Sequence, residues 1–434
     1  MLVYTPQITN RVQYIFKFVF EEVLGVELEL SSDMDAFIGY HGVKMNYSKR
    51  AIGEELFVMS SDLLLERGLK KQNFTETKYK DTVVPYATND EVSLFPFDLF
   101  SAAFYFMSRY EEQLPFLGDE HGRFPGASSY AYKNDFLKKP VINYWIMDLV
   151  EKINERFPDY KFNRKGYKFV PTYDIDLAFC FKHKGWMRNV GGLMMSLRKL
   201  DFNQAGNRLA VLFGGRKDPF DTYQKQFDIH EEQKLNAIYF ILLGEYASYD
   251  RNIANDNMNF HNLIQNIADE ADVGIHPSYR SDSKLPLVKE EVALLSSIIK
   301  EEVTRSRQHY IRLKIPETYQ TLIDQEIYKD YSMGYPDQVG FRASTASSFF
   351  FYDFSQETTT PLRIYPFAVM DYTLQQYMRL NPNQAISAIQ ELIDSCKDVG
   401  GMFIPLWHNH TLSEMNDWKG WYRVYTHMVE AAAS

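Results

Sequence analysis

Cysteine is scarce: Cys180 and Cys396 are the only two in 434 residues. That count excludes a disulfide scaffold and fits a reducing compartment, and the spacing forms no metal-ligand pair. No apolar run reaches the roughly 20 residues that a membrane helix needs. The only apolar stretch near the amino end is interrupted by Arg11, Lys17, Glu21 and Glu22, unlike a secretory leader. A cytoplasmic protein without a membrane span is the expectation. The Gly-rich phosphate loops of nucleotide enzymes are missing, as is a Gly-x-Ser-x-Gly elbow. Positive charge is in deficit, with a net charge of -10. That balance argues against nucleic acid and anionic membrane surfaces as main partners. Internal repeats and low-complexity tracts are absent too.

Aromatic residues are plentiful, with 30 Tyr and 32 Phe. They supply packed cores and, at some positions, stacking faces for sugar rings. The length exceeds one ordinary core, so two domains are expected. Residues 1–160 read as a smaller α/β domain. Strands are expected at 2–5 and 26–30. Helices are expected from Asn10 as cap, from Pro96 and from Pro140. Arg109, Glu111 and Glu112 read as a solvated helix end tied by local ion pairs. The polar stretch 157–166, with Pro158 and Gly166, marks the boundary.

From 165 to 434 the pattern alternates. Strand-like runs fall at 167–173, 237–243, 273–276, 309–313, 329–332, 340–343, 363–369 and 402–408, with helical runs between several of them. This alternation predicts an α/β fold with a parallel sheet, closed or nearly closed as a (β/α) barrel. Residues 181–217 form a long, mostly polar and basic insertion. It is a lid, a partner surface or solvated padding.

Chemistry-bearing residues collect at the ends of these runs. Asp174 and Asp176 end the first, two apart and so on one side of a strand. His276, Arg342, Asp371 and His408 end or follow others. A parallel barrel carries its site at the carboxyl ends of its strands. Two acids with histidines suit a borderline divalent metal such as zinc. Around it, a further carboxylate can take a proton from water, a histidine can protonate a leaving group, and an arginine can hold the base ionised. Such parts suit hydrolysis of an amide or ester.

Thr172-Tyr-Asp-Ile-Asp176, His276-Pro-Ser-Tyr, Gly340-Phe-Arg342, Asp371 and Leu406-Trp-His408 together resemble the successive motifs of NodB-type polysaccharide deacetylases, carbohydrate esterase family 4. The likeness covers roughly residues 165–415. Ser108-Arg-Tyr-Glu-Glu112, Gly122-Arg-Phe-Pro125 and Ser306-Arg-Gln-His-Tyr310 resemble, more narrowly, the two-domain deacetylase-like proteins of Bacteroidetes, in which another domain precedes a divergent deacetylase barrel. The resemblance implies Asp174 as general base, Asp176 and His276 as metal ligands, and Arg342 as the anchoring arginine. It implies Asp371 as the acid that orients His408, and His408 as general acid. It also implies a carbohydrate substrate and metal-dependent removal of an N-acetyl group from a hexosamine-containing glycan or its precursor. The pattern departs at two places. Arg280 stands where a second metal histidine belongs, and Ser344-Thr345 replaces Pro-Tyr. Guanidinium stays protonated and cannot bind zinc. His309 is the candidate replacement ligand; the opposing reading makes it a structural histidine at the start of its strand. Two other functions stay open: a non-catalytic carbohydrate-binding barrel, and an amidohydrolase acting on a small non-sugar amide.

Overall fold

The computed structural model describes residues 1–282 and 284–434. They divide into two compact units. The first takes Met1–Lys168, Met333–Ala368 and Glu391–Phe403; the second takes Phe169–Ser332, Val369–Gln390 and Ile404–Ser434. The unit that holds residues 1–160 therefore also takes in two later stretches of chain.

In the first unit a four-stranded parallel sheet runs in the order Glu29–Ser31, Leu2–Tyr4, Lys44–Ser48, Leu56–Met59. The Asn10–Phe16 helix is capped by Thr9, whose hydroxyl accepts from the Val12 N–H, one residue earlier than the sequence suggested. The Leu99–Met107 helix is capped by Asp98, which accepts from the N–H groups of Phe100 and Ser101. These two helices meet through aromatic rings. Phe16 stacks on Phe100 at 4.1 Å between centroids, and Tyr47 meets Phe100 edge-on at 5.5 Å. Phe100 has no exposed surface. Truncating it to Ala should cost about 3–5 kcal/mol, read as a lower urea midpoint with an unchanged slope.

The helix end that looked solvated is buried. Arg109 takes a left-handed backbone (φ 51°) and turns the chain inward. Its guanidinium donates to Glu112 at 2.7 and 2.9 Å and to Glu111 at 3.0 Å. Glu112 also receives a two-pronged contact from Arg342, at 2.9 and 2.5 Å. Burial tends to push the Glu112 carboxyl up, but Arg109 and Arg342 outweigh it and hold it at about 2. The apolar look of 340–343 suggested a strand, but this tract is a turn. Gly340 (φ 127°) packs so closely on the Leu137 carbonyl that a Cβ would stand 2.4 Å from it. The expected 363–369 strand is not one element: Thr358–Ile364 pairs antiparallel with Phe349–Asp353, and Val369–Met370 forms a separate strand.

The second unit carries seven parallel strands in the order Lys329–Asp330, Arg305–Ser306, Asp272–Ile275, Ile238–Ile241, Thr172–Ile175, Pro405–His408, Val369–Met370. No ladder joins the first of these to the last among the described residues. Closure of the expected barrel is not seen among them. Helices Tyr223–Gln233, Met258–Glu270 and Leu285–Ile299 alternate with the central strands. The insertion folds as two helices, Trp186–Arg198 and Phe202–Leu212. Among the described residues no helix is long and apolar enough to cross a membrane.

Candidate functional site

Parallel register brings the carboxyl ends of five strands of the second unit together. Asp174 lies opposite His408. Ile241 pairs with Ile175 and Ile275, and Ile275 pairs with Ser306. One step beyond these partners the chain presents Asp176, His276 and Arg307. Asp371 directly follows the Val369–Met370 strand.

Asp174 is 2 % exposed. Its Oδ1 accepts from Arg307 Nη1 at 3.0 Å, and its Oδ2 lies 3.6 Å from His276 Nε2. Asp176 is less enclosed. Its Oδ1 lies 3.2 Å from His276 Nε2, and its Oδ2 lies 3.7 Å from His309 Nε2 and 3.5 Å from His408 Nε2. Both acids thus face one pocket, as the two-residue spacing predicts.

The histidines are fixed from behind. His276 Nδ1 lies 2.6 Å from the Arg307 carbonyl, which can only accept, so Nδ1 carries the proton and Nε2 faces the pocket. His309 Nδ1 lies 2.9 Å from Asp250 Oδ1, which orients its Nε2 in the same way. One nitrogen on a backbone carbonyl or carboxylate, the other turned inward, is how proteins orient metal-binding histidines. Donor atoms of Asp176, His276 and His309 all lie within 4.8 Å of one another. An O, N, N set of this size fits a divalent ion of the zinc type.

Electrostatics favour a cation in the pocket. Asp174, Asp176, Asp250 and Asp371 face it or back its histidines, with Arg307 as fixed counter-charge. Burial pushes His309 down, but Asp176 and Asp250 more than offset it and raise it to about 9. His408 is raised to about 9 in the same way by Asp371 and Asp176 against burial. Asp176 sits well below the usual carboxylate range: burial works against this, and the charges of His309 and His408 outweigh it. The carboxylates that draw protons onto these rings attract a metal cation equally.

Opposite the triad, His408 is held through both its ring and its backbone. Nδ1 meets Asp371 Oδ1 at 2.7 Å, and its N–H donates to Asp371 Oδ2 at 2.9 Å. Thr411 donates to the same carboxylate. Tyr372 abuts the His408 ring edge-on at 5.0 Å.

The arginine that reaches Asp174 is Arg307. Arg342, the anchor expected from the sequence, spends its guanidinium on Glu112 and on the Gly334 carbonyl within the first unit. Arg307 is fully buried. Its Nε donates to the Tyr331 carbonyl, and its guanidinium lies over Phe240, 4.5 Å from the ring centroid. Gly274 makes room for that ring: a Cβ there would stand 2.8 Å from it and 2.9 Å from the Arg305 carbonyl. Arg280 is 54 % exposed and pairs with Glu245. His309 does not open a strand; the strand is Arg305–Ser306, and His309 begins the turn beyond it. It therefore stands at the same end as His276.

Sequence reasoning missed Arg307 and Asp250. Arg307 lies two residues before His309 and shares its strand end, a signal that was present. Asp250 sits in the Tyr-Ala-Ser-Tyr-Asp250 loop, where no pattern marks it.

Residues 1–158 match the model of a family of unknown function, DUF7033. No curated protein matches the chain. Fifteen solved chains do. One is a candidate polysaccharide deacetylase from Mycobacterium smegmatis, at 11% identity and a TM-score of 0.40, covering 61% of this chain and 84% of that one. A second is the polysaccharide deacetylase Bc1974 from Bacillus cereus, at 9% identity and a TM-score of 0.28, covering 62% and 87%. A third is a family 4 carbohydrate esterase from Streptomyces lividans in complex with acetate, at 11% identity and a TM-score of 0.28, also covering 62% and 87%.

Proposed function

We propose that the second unit is a metal-dependent amide hydrolase that removes the N-acetyl group of a hexosamine-containing glycan or glycan precursor. The supporting observation is the Asp176–His276–His309 triad, flanked by Asp174 on Arg307 and by His408 on Asp371. A divalent ion such as zinc, held by that triad, supplies Lewis-acid polarisation of a carbonyl and a water of lowered pKa.

The chain's own groups manage the protons. Asp174, held in place by the Arg307 hydrogen bond, takes the proton of the attacking water. His408 gives the Nε2 proton to the departing amine nitrogen as the C–N bond breaks, and Asp371 stabilises the charged ring until then. The water oxygen leaves in acetate. A sugar substrate is supported by the order of motifs along the chain and by an aromatic face beside the triad. Tyr310 lies edge-on to His309 at 4.8 Å, next to Tyr249 and Tyr279 stacked at 4.3 Å. Such faces hold sugar rings.

His309 takes the third corner of the triad while Arg280 pairs at the surface, which favours the metal reading over a barrel that only binds carbohydrate. Asp176→Ala, His276→Ala and His309→Ala should each lower bound metal at least about tenfold, and His408→Ala should leave it bound. Plasma emission on protein purified without chelator measures this; equal occupancy in all five proteins removes the metal site. Acetate release across a panel of N-acetylhexosamine compounds tests the reaction. Turnover only on small non-sugar amides would make the protein an amidohydrolase of another kind.

A further inference from the structure

The 181–217 insertion combines two properties that soluble surfaces keep apart. Eleven large apolar residues between Trp186 and Phe213 are exposed, among them Trp186 (75 %), Met194 (66 %), Phe202 (66 %) and Phe213 (86 %). They are not scattered. Trp186, Val190, Met194 and Leu197 follow helical spacing along one stripe, and Phe202, Leu209 and Phe213 do so along the second helix. The opposite faces attach the hairpin to its own unit. Ser196, Ala205 and Val211 are buried. Arg188 donates to the carbonyls of Arg251 and Asn252, and Arg208 lies over the Phe181 ring at 4.5 Å. The apolar stripes are therefore the outward faces of a fixed element.

Charge is the second property. Residues 181–217 hold eight Lys and Arg and a single acid, Asp201, in a chain of net charge -10. Arg198, Lys199, Arg216 and Lys217 are exposed at the ends of the two helices. The total charge, which argued against anionic surfaces, averages over this local reversal.

We propose that this hairpin docks the protein onto an anionic lipid surface, with Trp186, Met194, Phe202 and Phe213 entering the headgroup boundary and the flanking cations meeting lipid phosphates. A helix with an apolar stripe, an interfacial Trp and basic flanks is the physical description of an in-plane membrane binder. Nucleic acid would use the cations but leave the Met, Leu and Val stripe wet. A second copy packed face to face would bring one cationic hairpin against another, because a two-fold contact repeats the same patch on both sides. The inference does not depend on the proposed reaction.

The test is co-sedimentation of the full chain with vesicles, one set of phosphatidylcholine alone and one with about three parts in ten phosphatidylglycerol. The protein should pellet with the anionic vesicles, much less with the neutral ones, and release as salt rises. The triple variant Trp186→Ser, Phe202→Ser, Phe213→Ser should bind at least about tenfold more weakly. So should the variant Arg198→Gln, Lys199→Gln, Arg216→Gln, Lys217→Gln. All seven positions are exposed, and matching thermal melts verify the fold. No pelleting with anionic vesicles at low salt overturns the proposal, as does unchanged binding by the triple variant. Light scattering that finds a dimer which the triple variant dissolves would assign the face to a second copy and overturn it equally.

Discussion

Asp174→Asn is expected to lower turnover on any N-acetylhexosamine substrate by about 10²–10⁴-fold, the range that a positioned general base supplies. Asn is isosteric and keeps a hydrogen-bond acceptor toward Arg307, but it cannot take a proton at neutral pH. The change also leaves the fully buried Arg307 without its carboxylate, and breaking one side of a buried pair costs about 3–5 kcal/mol. Activity must therefore be normalised to folded protein, with circular dichroism on the same sample. Wild-type turnover in a folded Asn variant would remove Asp174 from the reaction. A fully metallated wild type that releases no acetate on any panel member would instead return the protein to the carbohydrate-binding reading.

Glu112→Gln should destabilise the fold strongly, by about 3–5 kcal/mol. One carboxylate there answers two buried guanidinium groups, those of Arg109 and Arg342. Glutamine can accept from them but neutralises neither. Wild-type stability should carry a matching pH dependence. The Glu112 carboxyl is held at about 2 against an ordinary 4.5. Its contribution is complete above the ordinary value and fades as pH falls from about 4.5 toward about 2, because the unfolded chain takes up the proton first. Urea melts of wild type and variant across that window should converge at the acid end. A gap that stays constant down to the lowest pH would show that Glu112 does not carry the effect.

How much of this was readable depends on what kind of signal each residue leaves. Asp174, Asp176, His276 and His408 end apolar runs that are strands in the second unit, so their convergence follows from parallel topology alone. His309 was harder. The run His-Tyr-Ile-Arg-Leu313 looks like a strand, whereas the true strand is the polar pair Arg305–Ser306, held by ladders on both sides. Two residues inside a sheet need no hydrophobic pattern of their own, so the periodicity pointed four residues too late. Which arginine meets Asp174 was misread for a different reason. Both follow chain segments that end near carboxylates, and a local pattern cannot say which arginine meets which acid. That choice is made by the turn at Gly340 and by Glu112, which lies 230 residues away in sequence. The buried Arg109–Glu112 end was read as solvated because charge density resembles a surface. Only the second arginine, distant in sequence, makes its burial affordable.

Gly274 contributes no functional group, yet it bears on the placement of the arginine that holds the proposed base. Its missing side chain leaves the volume that Phe240 fills, and the Arg307 guanidinium lies over the Phe240 ring. A methyl group at 274 would have to displace the ring or the neighbouring strand, and either shift disturbs the support from which Nη1 reaches Asp174. The aim of that guanidinium is in this way set partly by empty space one strand away. Volume, not chemistry, limits what that position can hold, and a change there would reach the proposed reaction without touching any group that takes part in it.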